Sequence, residues 1–176
     1  RDNLKLRRIL VDNTSEMIDW LMKLGVVFVG PEEEPPHRVA RMHNVVPNSK
    51  SFAYHLTRHC QQLGVDIRLN TSLDGLLLEG DRVVGAQVRT STGEIQKIHA
   101  RCGVILASGD YSAAADLKAS FANADVALVD AINTTATGDG HRIAMQVGAK
   151  VVNGDIVRGP IMRFIAPTRP NLLQKL

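Results

Sequence analysis

The apolar positions along the chain change their spacing from helix-like to strand-like and back, and that order predicts a layered α/β protein. Leu4, Leu6, Ile9, Leu10 and Val11 form a short helical pattern over residues 3–12 that stops at Asn13. A second helix is expected to follow. Asn13 or Thr14 can cap it, Glu16 stands three residues after Asn13 as in a capping box, and Met17, Ile18, Leu21 and Leu24 make one apolar stripe. Lys23 and Gly25 close it. The β-branched and aromatic run Val26 to Val29 reads as a short strand. From Gly30 to Asn48, Pro31, Pro35, Pro36 and Pro47 surround the acidic run Glu32 to Glu34, a composition that predicts a surface loop. Phe52, Leu56, Cys60 and Leu63 then recur at helical spacing between Ser49 and Gly64, and Val65, Ile67 and Leu69 alternate as a strand.

Three extended runs come next: Leu76 to Leu78, Val83 to Val88 after a Gly80-Asp81 turn, and Ile95 to Ile98 after Thr92-Gly93. Short turns between alternating runs predict an antiparallel meander. Val104 to Ala107 is apolar at every position, which predicts a central strand buried on both faces, with a turn at Ser108-Gly109-Asp110 directly after it. Ala113 to Phe121 reads as a helix, Val126 to Val129 as a strand, and Asp139 to Val147 as a helix opened by Thr137-Gly138-Asp139-Gly140.

Composition narrows the class. The chain has 176 residues, 44% of them hydrophobic and 22% charged, enough apolar material for a buried core, so a disordered chain is excluded. A net charge of +3 with both signs interspersed gives no nucleic-acid or polybasic membrane surface. No apolar run approaches the roughly 18 residues of a membrane span. Two cysteines, Cys60 and Cys102, have neither the number nor the spacing of a disulfide framework or zinc site, which points to a reducing cytoplasm. The start at Arg1 without a signal pattern, and the stop at Leu176, suggest a piece of something longer.

Chemistry concentrates in two places. In Thr137-Gly138-Asp139-Gly140, two glycines let a ligand approach the backbone and a helix start offers free N–H groups, as for a phosphate or hydroxyl; an ordinary capped turn has the same composition. Ala107-Ser108-Gly109 puts small residues at the end of an expected sheet strand, where open α/β folds bind nucleotides; a ligand-free βα turn is the alternative. Ser108 is not a nucleophile elbow, because Leu106 stands where that turn needs glycine. His55 and His59 share helical spacing without a third ligand and read as solvated. His37 and His43, near Arg38 and Arg41, read as part of a solvated loop.

In order and spacing, these pieces resemble the flavoprotein subunits of succinate dehydrogenase and fumarate reductase, with the related ketosteroid dehydrogenases. The resemblance rests on Ser15 to Val26, on Gly64 to Thr71, on Val83-Val84-Gly85-Ala86 with Gly103 to Gly109, and on Thr137-Gly138-Asp139-Gly140 through Ala149. It implies part of an FAD/NAD(P)-binding Rossmann-like domain with an antiparallel meander, without the amino-terminal dinucleotide-binding strand. Residues 1–150 would be the partial FAD-binding domain, and 151–176 the start of a connection to a cap domain. It further implies that Leu73 gives backbone contact near the adenine, that Ala107, Ser108 and Gly109 line the adenosine side, and that Asp139 contacts FAD. Asp110 stands where the family has a second glycine. Gly159 precedes Pro160 where fumarate reductases have histidine, which departs from the dicarboxylate-reducing pattern.

The family's G-x-G-x-x-G turn for the pyrophosphate is absent from this sequence, so the chain reads as an internal piece of an FAD-dependent dehydrogenase or reductase. The parent would pass a hydride between flavin and a carbon–carbon bond of a small-molecule substrate. This segment supplies no catalytic residue, is expected neither to retain FAD nor to turn over alone, and would self-associate through surface the parent covers. The competing reading is a cofactor-free binding or scaffold module of the same fold.

Overall fold

The computed structural model describes residues 2–156, and the chain divides into two compact units at the junction of Asn70 and Thr71. In the first unit, α1 (Leu4–Lys23) is one continuous helix of 20 residues, where two were expected. Asn3 caps it, its side-chain oxygen accepting from the N–H groups of Lys5 and Leu6 at 3.1 and 3.2 Å. Asn13 and Thr14 cap nothing. Their side chains donate to the carbonyls of Ile9 and Leu10, four residues back, so the backbone ladder runs on past them.

Strand β1 (Val27–Glu32) pairs antiparallel with β2 (Met42–Val46). The second strand lies inside the segment expected to be loop. The shift in register between Val29 and Glu32 accommodates Pro31, which has no ladder donor, and Glu32 accepts from the Asn44 side chain at 3.2 Å. Helix α2 (Lys50–Gln62) ends just before Gly64, as the spacing predicted. Phe28 and Phe52 meet with ring centroids 5.9 Å apart, and Val26 is the fully buried side chain of the unit. The expected strand at Val65, Ile67 and Leu69 does not form, and all three side chains are exposed. Alternation alone does not make a strand without a neighbour to accept its hydrogen bonds.

The second unit opens with the predicted meander, β3 (Thr71–Glu79), β4 (Arg82–Thr90) and β5 (Ile95–His99), antiparallel in the order β3-β4-β5. The Val83 to Val88 run pairs with the Ile95 to Ile98 run, with Ala86 opposite Ile98 and Arg89 opposite Ile95. Gly85 and Val88, both in β4, are the meander's buried residues. Helices α3 (Ala115–Phe121), α4 (Ala124–Ala127) and α5 (Asp139–Gln146) follow. Ala114, Leu117, Ala136 and Ile143 are buried here, and Tyr111 and Phe121 meet edge-on at 5.5 Å.

Two strand expectations fail in this unit. Val104 to Ala107 is not a buried central strand: it has no ladder partner, and Ile105 is 92% exposed and Leu106 37%. A strand becomes central only between two others, and among the described residues both sheets are formed by other segments. Val126 to Val129 is likewise not extended. Asn123 caps α4 through a bond from the Val126 N–H at 2.9 Å, so the segment turns helical instead. The arrangement is a mixed α/β one, with both described sheets antiparallel.

Candidate functional site

The turn that follows Ala107 lies against the first turn of α5. Leu106 to Gly109 form one wall of an open cleft of about 410 Å3, and Gly140, His141 and Ala144 form the other. Three of the expected site residues, Ala107, Ser108 and Gly109, are therefore brought together. The close approach depends on Gly140, where a Cβ would overlap Ser108 Oγ and stand 3.3 Å from Ser108 Cβ.

The helix start is built on Gly138, which takes a left-handed conformation with φ of 76° and caps α5 without a side chain. Such a start leaves first-turn N–H groups for an anion or a polar group to meet. No side chain caps the helix; Thr137 Oγ1 donates to Asp139 Oδ2 at 3.0 Å. Asp139 is exposed and sits next to the cleft without lining it. Leu73 is half-buried in β3 opposite Val88, where the register shifts, and it does not line the cleft either.

Charges around the cleft are tied to the protein. Asp110 accepts from the Ser112 N–H at 2.8 Å. The backbone and hydroxyl bonds from Ser112 hold its carboxyl below the ordinary 3.8, against the opposing effect of burial, with a lesser contribution from nearby His141. The Asp110 carboxylate thus folds onto its own loop. Arg142, one turn along α5, grips Asp116 of α3 through two bonds of 2.6 and 2.7 Å, and the Asp116 carboxyl falls to about 2.

Two residues of this region were not singled out from the sequence. His141 is a wall of the cleft, and Tyr111 stacks edge-on against it at 5.0 Å while donating its hydroxyl to the Gly154 carbonyl at 2.9 Å. Their nearness to Gly140 and Asp110 in the chain was the available signal. The other candidates stay apart from chemistry. His55 and His59 are half-buried rather than solvated, with His59 Nε2 3.2 Å from the Leu24 carbonyl. Arg41 lies against His37. Among the described residues no three His, Cys, Asp or Glu are placed to hold a metal ion, and no helix is long and apolar enough to cross a membrane. Gly159 and Pro160 lie outside the described residues.

A dinucleotide's adenosine end needs small residues beneath it and a polar rim, and this cleft offers both: Ala107, Ser108 and Gly109 on one wall, and a helix start without a side-chain cap on the other. The residues present fit that end of FAD. A glycine-rich pyrophosphate turn is not part of the sequence.

Comparison with known proteins gives the family. Residues 1–160 match the family described as the FAD binding domain. Over 162 residues the chain is 28% identical to a probable fumarate reductase of Shewanella frigidimarina, covering 90% of this chain and 27% of that protein. Over 111 residues it is 32% identical to the 3-oxosteroid 1-dehydrogenase of Mycolicibacterium smegmatis, covering 60% of this chain and 20% of that one. The solved open conformation of a flavocytochrome c3 fumarate reductase superposes with a TM-score of 0.76 at 28% identity, over 85% of this chain and 27% of that structure. The chain spans about a quarter or less of the length of these relatives. Matched across residues 1–160 of its 176, this chain belongs to the FAD binding domain family, with fumarate reductases and 3-oxosteroid dehydrogenases among its relatives.

Proposed function

We propose that this chain forms the adenosine side of the FAD site in an oxidoreductase acting on a carbon–carbon bond of a small-molecule substrate. The observation that carries the reading is the cleft in which the Ser108 turn closes on Gly140 of α5. Ala107, Ser108 and Gly109 would hold the adenosine, the Leu73 backbone would lie near the adenine, and Asp139 would give a polar contact at the helix start. FAD, when bound, supplies the hydride acceptor or donor. The groups that deliver or remove the proton are assigned to parts of the parent outside this segment.

Residues 1–150 are read as the partial FAD-binding domain and 151–176 as the beginning of a connection to a cap. Two free cysteines, Cys60 and Cys102, support a reducing cytoplasmic setting. Exposed apolar side chains such as Ile105 support self-association of the isolated chain.

Affinity for FAD is expected to be low in the isolated chain. A pyrophosphate turn contributes several charge-assisted hydrogen bonds of about 1.5–3 kcal/mol each, so its absence lowers affinity by orders of magnitude. The test compares FAD titrations of this chain, by fluorescence and calorimetry, with the flavin content of the full reading frame that carries it. The expected results are no stoichiometric yellow complex and no turnover from the chain alone, a yellow full-length protein, and less bound flavin in full-length Gly140→Val. A micromolar or tighter complex with the chain alone overturns the division of the site. A colourless full-length protein favours the cofactor-free module, and an unchanged flavin content in G140V removes the cleft from the assignment.

A further inference from the structure

We propose that a second pocket, beside α3, binds a small monocarboxylate with the Lys118 ammonium as its counter-ion. Lys118 is 9% exposed, and it is the buried cation among the described residues. Its Nζ donates to the backbone carbonyl of Val129, just past the end of α4. A carbonyl is a neutral acceptor, so this bond uses one of three N–H donors and brings no negative charge to the ammonium. The ion pairs among the described residues involve Arg7, Arg68, Arg89 and Arg142, and none involves Lys118. An ammonium withdrawn from water without an anion is costly, and an anion that reaches it recovers much of that cost.

The surroundings specify the anion. Lys118 lines a cavity of about 490 Å3 together with Ala113, Ala115, Ala127, Ile132 and Thr134. Alanine and isoleucine walls suit a short hydrocarbon body, and the Thr134 hydroxyl offers a further polar contact. Lys118 is the one cation on the cavity wall, which favours a monocarboxylate over a phosphate or dicarboxylate dianion. Asp130 also lines the cavity and is the one acidic side chain placed there. The pocket shares no wall with the cleft of Ser108 and Gly140, so the proposal stands apart from the flavin reading.

The test titrates propionate into the whole chain at constant ionic strength, read by calorimetry and by the midpoint of thermal unfolding. Propionamide, a neutral compound of similar shape, is the control. Saturable propionate binding that raises the midpoint is expected, with no response to propionamide. Lys118→Met keeps a long apolar stem in place and is expected to weaken propionate binding about ten- to hundredfold, the range of one charge-assisted hydrogen bond. Ala115→Leu, at an exposed helix position on the cavity wall, is expected to weaken binding by filling the space, and it carries the test if K118M fails to fold. Equal binding by wild type, K118M and A115L overturns the proposal, as does absence of binding by wild type. Binding that appears only in Asp130→Asn overturns it too, and makes Asp130 the resident counter-ion.

Discussion

Ser108 and Gly140 touch across 32 positions of sequence because residue 140 has no side chain: a Cβ there would overlap the Ser108 hydroxyl. The cleft assigned to the cofactor exists through this contact. A neighbouring glycine, Gly138, is confined in a different way. Its φ is 76°, and a Cβ on it would stand 2.5 Å from Leu117 Cδ1 and 2.8 Å from Tyr111 Cβ. Leu117 is buried, whereas the serine hydroxyl is the free end of a rotatable side chain.

Alanine at the two glycines is therefore expected to have unequal effects. Gly138→Ala combines a strained backbone with a clash against packed atoms and should cost about 1–3 kcal/mol. Gly140→Ala should cost less, roughly 1 kcal/mol or below, because Ser108 can rotate away. Adding Ser108→Ala to G140A should recover part of the loss. Denaturant unfolding of the three variants checks the order, and G140A costing more than G138A would contradict it.

Acid should reveal the Asp116–Arg142 pair. The Arg142 hydrogen bonds hold the Asp116 carboxyl at about 2 in the folded chain, below its ordinary 3.8. A depressed carboxyl value means that the pair stabilises the fold above about pH 3.8 and loses that contribution as the pH falls toward 2. Both side chains are substantially exposed, so the contribution near neutrality is small and salt weakens it. Asp116→Asn should lose less stability than wild type between about pH 4 and pH 2, seen in thermal midpoints across that range. Titration of the Asp116 carboxyl carbon by NMR gives the value directly.

Tyr111 links the cleft to the chain near Gly154. Tyr111→Phe keeps the edge-on contacts with Phe121 and His141 and removes only the hydroxyl bond to the Gly154 carbonyl. The expected loss is about 0.5–1.5 kcal/mol, the net worth of one hydrogen bond. Hydrogen exchange at the Ile156 N–H, which bonds the Asn153 carbonyl at 3.0 Å, should speed up in the variant. Unchanged exchange there would mean that Tyr111 does not hold this segment.

Self-association of the isolated chain should grow with concentration. Ile105 is 92% exposed in a segment apolar from Val104 to Ala107. Ile105→Ser is expected to reduce the associated fraction in light scattering without lowering the unfolding midpoint, because a surface isoleucine contributes little to the folded core. A strict monomer at all concentrations would contradict the expectation.

What the sequence determined by itself is the set of elements held by short-range interactions. The meander was legible because its extended runs are joined by Gly80-Asp81 and Thr92-Gly93, so each strand finds its partner a few residues away. Helices α2 and α5 were legible from their spacing and from the glycines at their ends, and the family resemblance followed from motif order. Tertiary structure decided the rest. Whether Asn13 starts a helix or bonds back to Ile9 depends on the chain before it, and whether Met42 to Val46 extends depends on β1 lying beside it. Val104 to Ala107 and Val65 to Leu69 carry strand composition without strand structure, since a ladder requires a neighbour that composition cannot supply. The meeting of Ser108 with Gly140, and the burial of the Lys118 charge, likewise arise from packing between distant segments, which no local spacing encodes.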